Sequence, residues 1–154
     1  MTQAPFIRRA ISADAPVAAR VIESALHDYG IRFDPDGRDA DVKTFGQKAD
    51  VDDVVAEVDG AIVGVGSVGP HGDEGVAWIS KVFVLRSARG RGLGRALCAA
   101  LHDAARARGY REVRLRTRVV FREAIALYES LGYVRTIEGA AVLERGDIVY
   151  ARRL

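Results

Sequence analysis

The sequence predicts an α/β fold in which a mixed, mostly antiparallel sheet is flanked by helices. Three observations predict it: two successive hairpin signatures between residues 54 and 85, an amphipathic stripe over Gly92–Arg108, and a two-residue alternation over Glu112–Val119. The expected order is β-α-loop-β-β-β-α-β-α-β-β. With no internal repeat, low-complexity tract or linker in the chain, a single domain over residues 1–154 is expected to carry one sheet with helices on its faces.

Each element has a local reason. Pro5–Ile11 reads as an opening strand, after which Ser12 is expected to cap a helix that begins with Asp14, Ala15 and Pro16 and runs to about Asp28. Residues 30–50 hold Asp34, Asp36, Asp39 and Asp41 with Pro35 and Gly37, and read as a polar loop with room for a short helix. Two β-branched runs, Val54–Val58 and Ile62–Val68, flank Asp59-Gly60, the dipeptide that supplies positive φ in a tight hairpin. Pro70–Gly75 then turns the chain into the apolar run Val76–Leu85.

Gly92–Arg108 places Leu93, Leu97, Ala100, Leu101 and Ala104 on one helical stripe, closed by Gly109. Glu112–Val119 alternates Val113, Leu115 and Thr117 with Arg114, Arg116 and Arg118, so its arginine face is solvated or lines a polar groove. Ala124, Leu127, Tyr128 and Leu131 mark a further helix ending at Gly132, and Tyr133–Thr136 and Ile148–Leu154 finish as strands.

Composition narrows the function classes. Lys+Arg total 23 against 21 Asp+Glu, a net charge of +2, which lacks the concentrated basic excess of a nucleic-acid binder. One cysteine, Cys98, excludes an internal disulfide, and with three histidines no Cys/His zinc cage is expected. Met1–Ile11 lacks the pattern of a secretory signal and no run is long enough to span a membrane, so a cytoplasmic protein is expected.

The strongest local signal is Leu85–Arg95 (LRSARGRGLGR), set between an apolar strand and a helix. Glycines there allow backbone N–H groups to converge on an anion, the helix start adds a positive dipole, and arginines add charge. A helix end contributes only about 0.3–1 kcal/mol at an exposed site, so several converging donors are needed. The nucleoside-triphosphate pattern with its lysine is absent. A dinucleotide-type G-x-G-x-x-G match at Gly64, Gly66 and Gly69 is followed by Pro70, His71 and Gly72 rather than a helix, and reads as chance.

The remaining pattern, Arg89-x-x-Gly92-x-Gly94 between strand and helix, resembles the pyrophosphate-binding motif of the GCN5-related N-acetyltransferase (GNAT) superfamily. The later segment Ala124-Ile-Ala-Leu-Tyr128-Glu-Ser-Leu-Gly132-Tyr133 also falls in that family's order, and the resemblance covers nearly the whole chain. It implies a GNAT-like sheet and acetyl-CoA as cosubstrate, with no metal. The backbone of Val82, Phe83 and Val84 would pair with the pantetheine arm, and one of its amides would polarise the thioester carbonyl. Amides of Arg89, Gly90, Arg91, Gly92, Leu93, Gly94 and Arg95 would hold the diphosphate, with Arg86 or Arg91 reaching the 3′-phosphate. Tyr128 would protonate the departing thiolate.

Two positions depart from the family pattern. Phe121 stands where many members have a cofactor-contacting asparagine, and Trp78 where many have a glutamate as general base. Glu74 is the nearest acid to that position and is the candidate base, with His71 in the same turn read as a surface residue. Cys98 is read as core rather than as a nucleophile, and His27 and His102 carry no assigned role. The acids of residues 30–50 offer a field for a cationic acceptor. The reading is therefore transfer of an acetyl group from acetyl-CoA to the amine of a small molecule, an amino acid or related amine among the candidates, with no nucleic-acid or membrane partner and homodimerisation left open. The rival class is a non-catalytic acyl-CoA-binding sensor on the same fold.

Overall fold

The computed structural model describes residues 5–136 and 147–154; the reading of Met1–Ala4 lies outside them. Its strands are β1 (Phe6–Arg9), β2 (Asp52–Val58), β3 (Ala61–Pro70), β4 (Val76–Val84), β5 (Glu112–Arg118), β6 (Val134–Arg135) and β7 (Asp147–Arg153). The helices are α1 (Ala15–His27), α2 (Leu93–Ala107) and α3 (Arg122–Ser130). The strands form one sheet in the order β1-β2-β3-β4-β5-β7-β6, and every pairing is antiparallel except β4 with β5. This is the mixed, mostly antiparallel sheet the sequence predicts.

The turn chemistry holds where the sequence is most explicit. Asp59 and Gly60 take φ of 52° and 82°, the left-handed pair that a two-residue hairpin demands. The start of α1 differs from expectation. Ser12–Asp14 is a short 3-10 turn, and the Ser12 hydroxyl caps nothing. Asp14 takes over: its carboxylate accepts the Ile11 N–H at 2.8 Å and two Arg8 nitrogens at 2.8 and 3.0 Å. The amides that the Ser12 hydroxyl would take are spent on the backbone: Asp14 N–H donates to the Ile11 carbonyl at 2.9 Å and Ala15 N–H to the Ser12 carbonyl.

Two apolar clusters lie on opposite faces of the sheet. On one face α2 seats Leu97, Cys98 and Leu101 against Val54, Val68, Ile79, Val113 and Leu115, and Tyr128 of α3 joins them. On the other, Val21, Ile22 and Leu26 of α1 meet Val55 and Val65, with Val42 and Phe45 from the 28–51 connection, which contains a 3-10 turn at Ala40–Thr44. The glycine row of β3 serves the first face. A Cβ at Gly64 would stand 3.1 Å from Leu97, and one at Gly66 2.9 Å from Leu101, so these glycines let α2 lie close to the sheet.

The feature that positions the site is a split. β4 and β5 pair only from Val76↔Glu112 to Ile79↔Leu115 and then part. Just beyond the last pair, β4 carries a bulge: Val65 and Ser67 of β3 face Phe83 and Ser80, two residues of advance against three. Lys81 sits in that bulge at φ 58°, a left-handed conformation that non-glycine residues adopt at a cost of order 1–3 kcal/mol.

Candidate active site

A cavity of about 460 Å³ occupies the split. Val82, Phe83 and Val84 of β4 form one wall, and Leu115, Arg116 and Thr117 of β5 line it from the opposite strand. Arg89, Gly90 and Gly92 line it from the loop, followed by Leu93, Gly94 and Arg95 of α2, while Tyr128 and Leu127 close it from α3. Of the residues predicted to contact the cofactor, Arg91 and Arg86 are not in the lining. Arg86 lies in an exposed turn outside it, and Glu74 sits exposed in the β3–β4 turn, also outside.

The loop is shaped for an anion. Gly90 and Gly92 have φ of 80° and 77°, and a Cβ built on either would meet no atom within 4 Å, because both face open space. Among the described residues, the amides from Gly90 to Arg95 donate to no backbone carbonyl, and the first α2 bond runs from Ala96 N–H to Gly92. A row of unspent N–H groups at a helix start fits a diphosphate. The arginines are partly committed elsewhere. Arg89 donates to the Val84 carbonyl at 3.0 Å and pairs with Asp28 at 3.1 Å, which ties the loop to β4 and to the end of α1. Arg95 donates to Ser130 Oγ at 2.8 Å.

Tyr128 is 6% exposed. Its hydroxyl has no hydrogen-bond partner among the described residues, and its ring meets Tyr133 edge-on at 5.6 Å. Burial, with a smaller contribution from Cys98, pushes the phenol well above its ordinary value, so it stays protonated. Cys98 itself is fully buried and its thiol is pushed up to about 12 by the same burial, which makes it a poor nucleophile and a core residue.

Sequence reasoning missed a second carboxylate and its partner. Glu123, in the first turn of α3, lines the cavity and accepts the Tyr29 hydroxyl at 2.9 Å. Its carboxyl is held below the usual range, first by its own backbone amide and then by Tyr29. Phe121 packs between Tyr29 and Phe83, with ring centroids 4.9 and 6.1 Å away. No spacing in the sequence joins Tyr29 to residues some ninety positions on. The acids of residues 30–50 are largely paired locally: Asp36 with Lys43 at 2.7 Å, Asp41 with Lys81 at 2.5 Å, and Asp39 with Arg38 at 3.6 Å.

Residues 19–133 match the family model described as the Acetyltransferase (GNAT) family. The chain belongs to the GNAT acetyltransferase family. Among the relatives of this GNAT chain, the "Uncharacterized N-acetyltransferase YjgM" of Escherichia coli (strain K12) is 32% identical over 139 residues, spanning 85% of this chain and 83% of that protein. The structure of yncA from Salmonella typhimurium, solved with its cofactor acetyl-CoA, is 25% identical with a TM-score of 0.76, and the match covers 99% of this chain and 95% of that one. A GNAT-family acetyltransferase of Staphylococcus aureus Mu50 shares the fold at TM-score 0.84 and 18% identity, covering 98% and 99% of the two chains. This GNAT member is thus an acetyl-CoA-dependent N-acetyltransferase. No helix among the described residues is long and apolar enough to cross a membrane.

Proposed function

We propose that this protein, a single GNAT domain, transfers the acetyl group of acetyl-CoA directly to the amine of a small molecule, with Tyr128 as the acid. The observation that carries the proposal is the convergence of three parts on one cavity: the open amides of the loop, the bulged end of β4 and the buried Tyr128 hydroxyl. The amides of Gly90, Arg91, Gly92, Leu93, Gly94 and Arg95 hold the diphosphate, with the Arg89 side chain bracing the loop. Backbone groups of Val82, Phe83 and Val84 pair with the pantetheine arm, because the split leaves that edge of β4 without a β5 neighbour.

The chemistry then needs a donor at the carbonyl and a proton for sulfur. An N–H of the bulged strand is fixed in place before the reaction, so it stabilises developing negative charge on the carbonyl oxygen without reorganisation. The neutral amine forms the new C–N bond, the C–S bond breaks, and the Tyr128 proton passes to the thiolate. The amine's proton leaves by way of solvent, and Glu74, which does not line the cavity, would take it through water. The experiment is thioester consumption against a panel of amines. Turnover with at least one amine supports the enzyme, and saturable coenzyme A binding with no turnover for any amine would favour a sensor.

A further inference from the structure

A second cavity, of about 490 Å³, lies beside the first. The two share Ile79, Ser80, Lys81 and Arg116, so they meet at the β4 bulge and at one arginine of β5. The register explains the polar wall between them. Asp53 of β2 is opposite Ser67 of β3, and Ser67 is opposite Ser80 of β4, which puts three polar side chains in a row leading to Arg116. An amine waiting in this second cavity would reach the reacting end of the first without crossing the sheet.

The charges of the second cavity are unbalanced. Its lining has four cations, Arg38, Lys48, Lys81 and Arg116, against two acids, Asp41 and Asp53, with Arg38 paired to Asp39 outside the lining at 3.6 Å. Both acids are already engaged. Asp41 pairs with Lys81 at 2.5 Å, while Asp53 accepts Ser67 Oγ at 2.5 Å and the Gly46 N–H at 2.7 Å. Among the described residues, neither Arg116 nor Lys48 has an acidic partner. Trp78 lines the same wall; its indole Nε1 is buried and has no hydrogen-bond partner among the described residues. A pocket with surplus cations and donors is complementary to an anion rather than to a second cation.

We infer that this cavity selects an acceptor amine that also carries a carboxylate, with Arg116 and Lys48 as the pairing cations. This rests on the acetyltransferase reading of the first cavity. Because Arg116 borders both cavities, a carboxylate on it stays at their boundary, which favours a compact amino acid over a long diamine. Three acids of residues 30–50 do not oppose this, since Asp36, Asp39 and Asp41 are paired with Lys43, Arg38 and Lys81.

Trp78 is the single tryptophan of the chain, so intrinsic fluorescence reads this cavity independently of turnover. The experiment titrates the coenzyme A-loaded protein with L-amino acids, with their amides and with the matching decarboxylated amines. At least one acid is expected to saturate about tenfold or more tightly than its amide and its decarboxylated partner. Lys48→Met, at an exposed residue of the second cavity alone, is expected to weaken that acid while calorimetry still shows coenzyme A binding. Arg116→Met is expected to abolish the preference for acid over amide. Amides or plain amines that bind as tightly as the acids, or a panel in which no acid saturates, would overturn the inference. Coenzyme A binding in the same samples separates the two readings: if it is present, only the acceptor class is lost, and if it is absent the first cavity is misassigned.

Discussion

Nε2 of His102 lies 2.6 Å from the Tyr133 hydroxyl, and Nδ1 lies 3.1 Å from an Arg152 nitrogen. Arginine only donates, so Nδ1 accepts and the neutral ring carries its proton on Nε2, donating to Tyr133. Burial first, and the Arg152 charge second, lower His102 from 6.5 to about 4. The unfolded chain therefore takes up a proton near pH 6.5 that the folded protein refuses until about 4. Stability is expected to fall across that window as pH drops, by about 3 kcal/mol in all. Urea unfolding at stepped pH measures it; His102→Gln should flatten the slope, and an unchanged slope in that variant would exclude His102 as its source.

Asp14 sets a lower acid window. Its carboxyl is held below the usual range mainly by the Arg8 hydrogen bonds, so the stability it contributes is present above about pH 4 and is lost as pH falls through the folded value. Asp14→Asn is expected to lower stability by about 1–3 kcal/mol at neutral pH. The gap between variant and parent should narrow below pH 4 in the same unfolding experiment.

Tyr128→Phe removes the proposed acid without opening the core, because the ring and its contact with Tyr133 remain. A fall in kcat of about 100-fold is expected, in the range of general acid catalysis. The coenzyme A dissociation constant by calorimetry should stay within a factor of three or so. Equal rates for both proteins would take Tyr128 out of the mechanism.

Gly92→Val places a β-branched side chain at φ 77° on a residue that lines the cavity. Affinity for coenzyme A is expected to drop by more than about tenfold, and folding stability by about 1–3 kcal/mol for the strained backbone. Gly60→Val is the control. It has a similar φ of 82° and lies in the β2–β3 turn, so it carries the strain without the loss of affinity.

What was legible in the sequence had a short-range signature. Asp59-Gly60, the α2 stripe and the β5 alternation each state their structure within a few residues, and the proposed anion loop is marked by its glycines, arginines and helix start. The Lys81 bulge has no such mark. A lysine in a strand looks like any other, and its positive φ follows from the mismatch between β3 and β4, a long-range property. The Tyr29–Glu123 bond and the second cavity are likewise made by folding. Trp78 was noted only as a departure from a glutamate, although its indole turns out to line the second cavity. Ser12 differs from its expected cap because a 3-10 turn spends the Asp14 and Ala15 amides on backbone carbonyls.

The central claim, that unspent amides between β4 and α2 hold a diphosphate, is read most directly from the amides themselves. Backbone ¹⁵N–¹H NMR of the uniformly labelled protein, titrated with acetyl-CoA, should move the signals of Gly90, Gly92 and Gly94 with saturation, and pantetheine, which lacks the diphosphate, should not move them. Signals of the 90–95 loop that stay in place at saturating acetyl-CoA would contradict it.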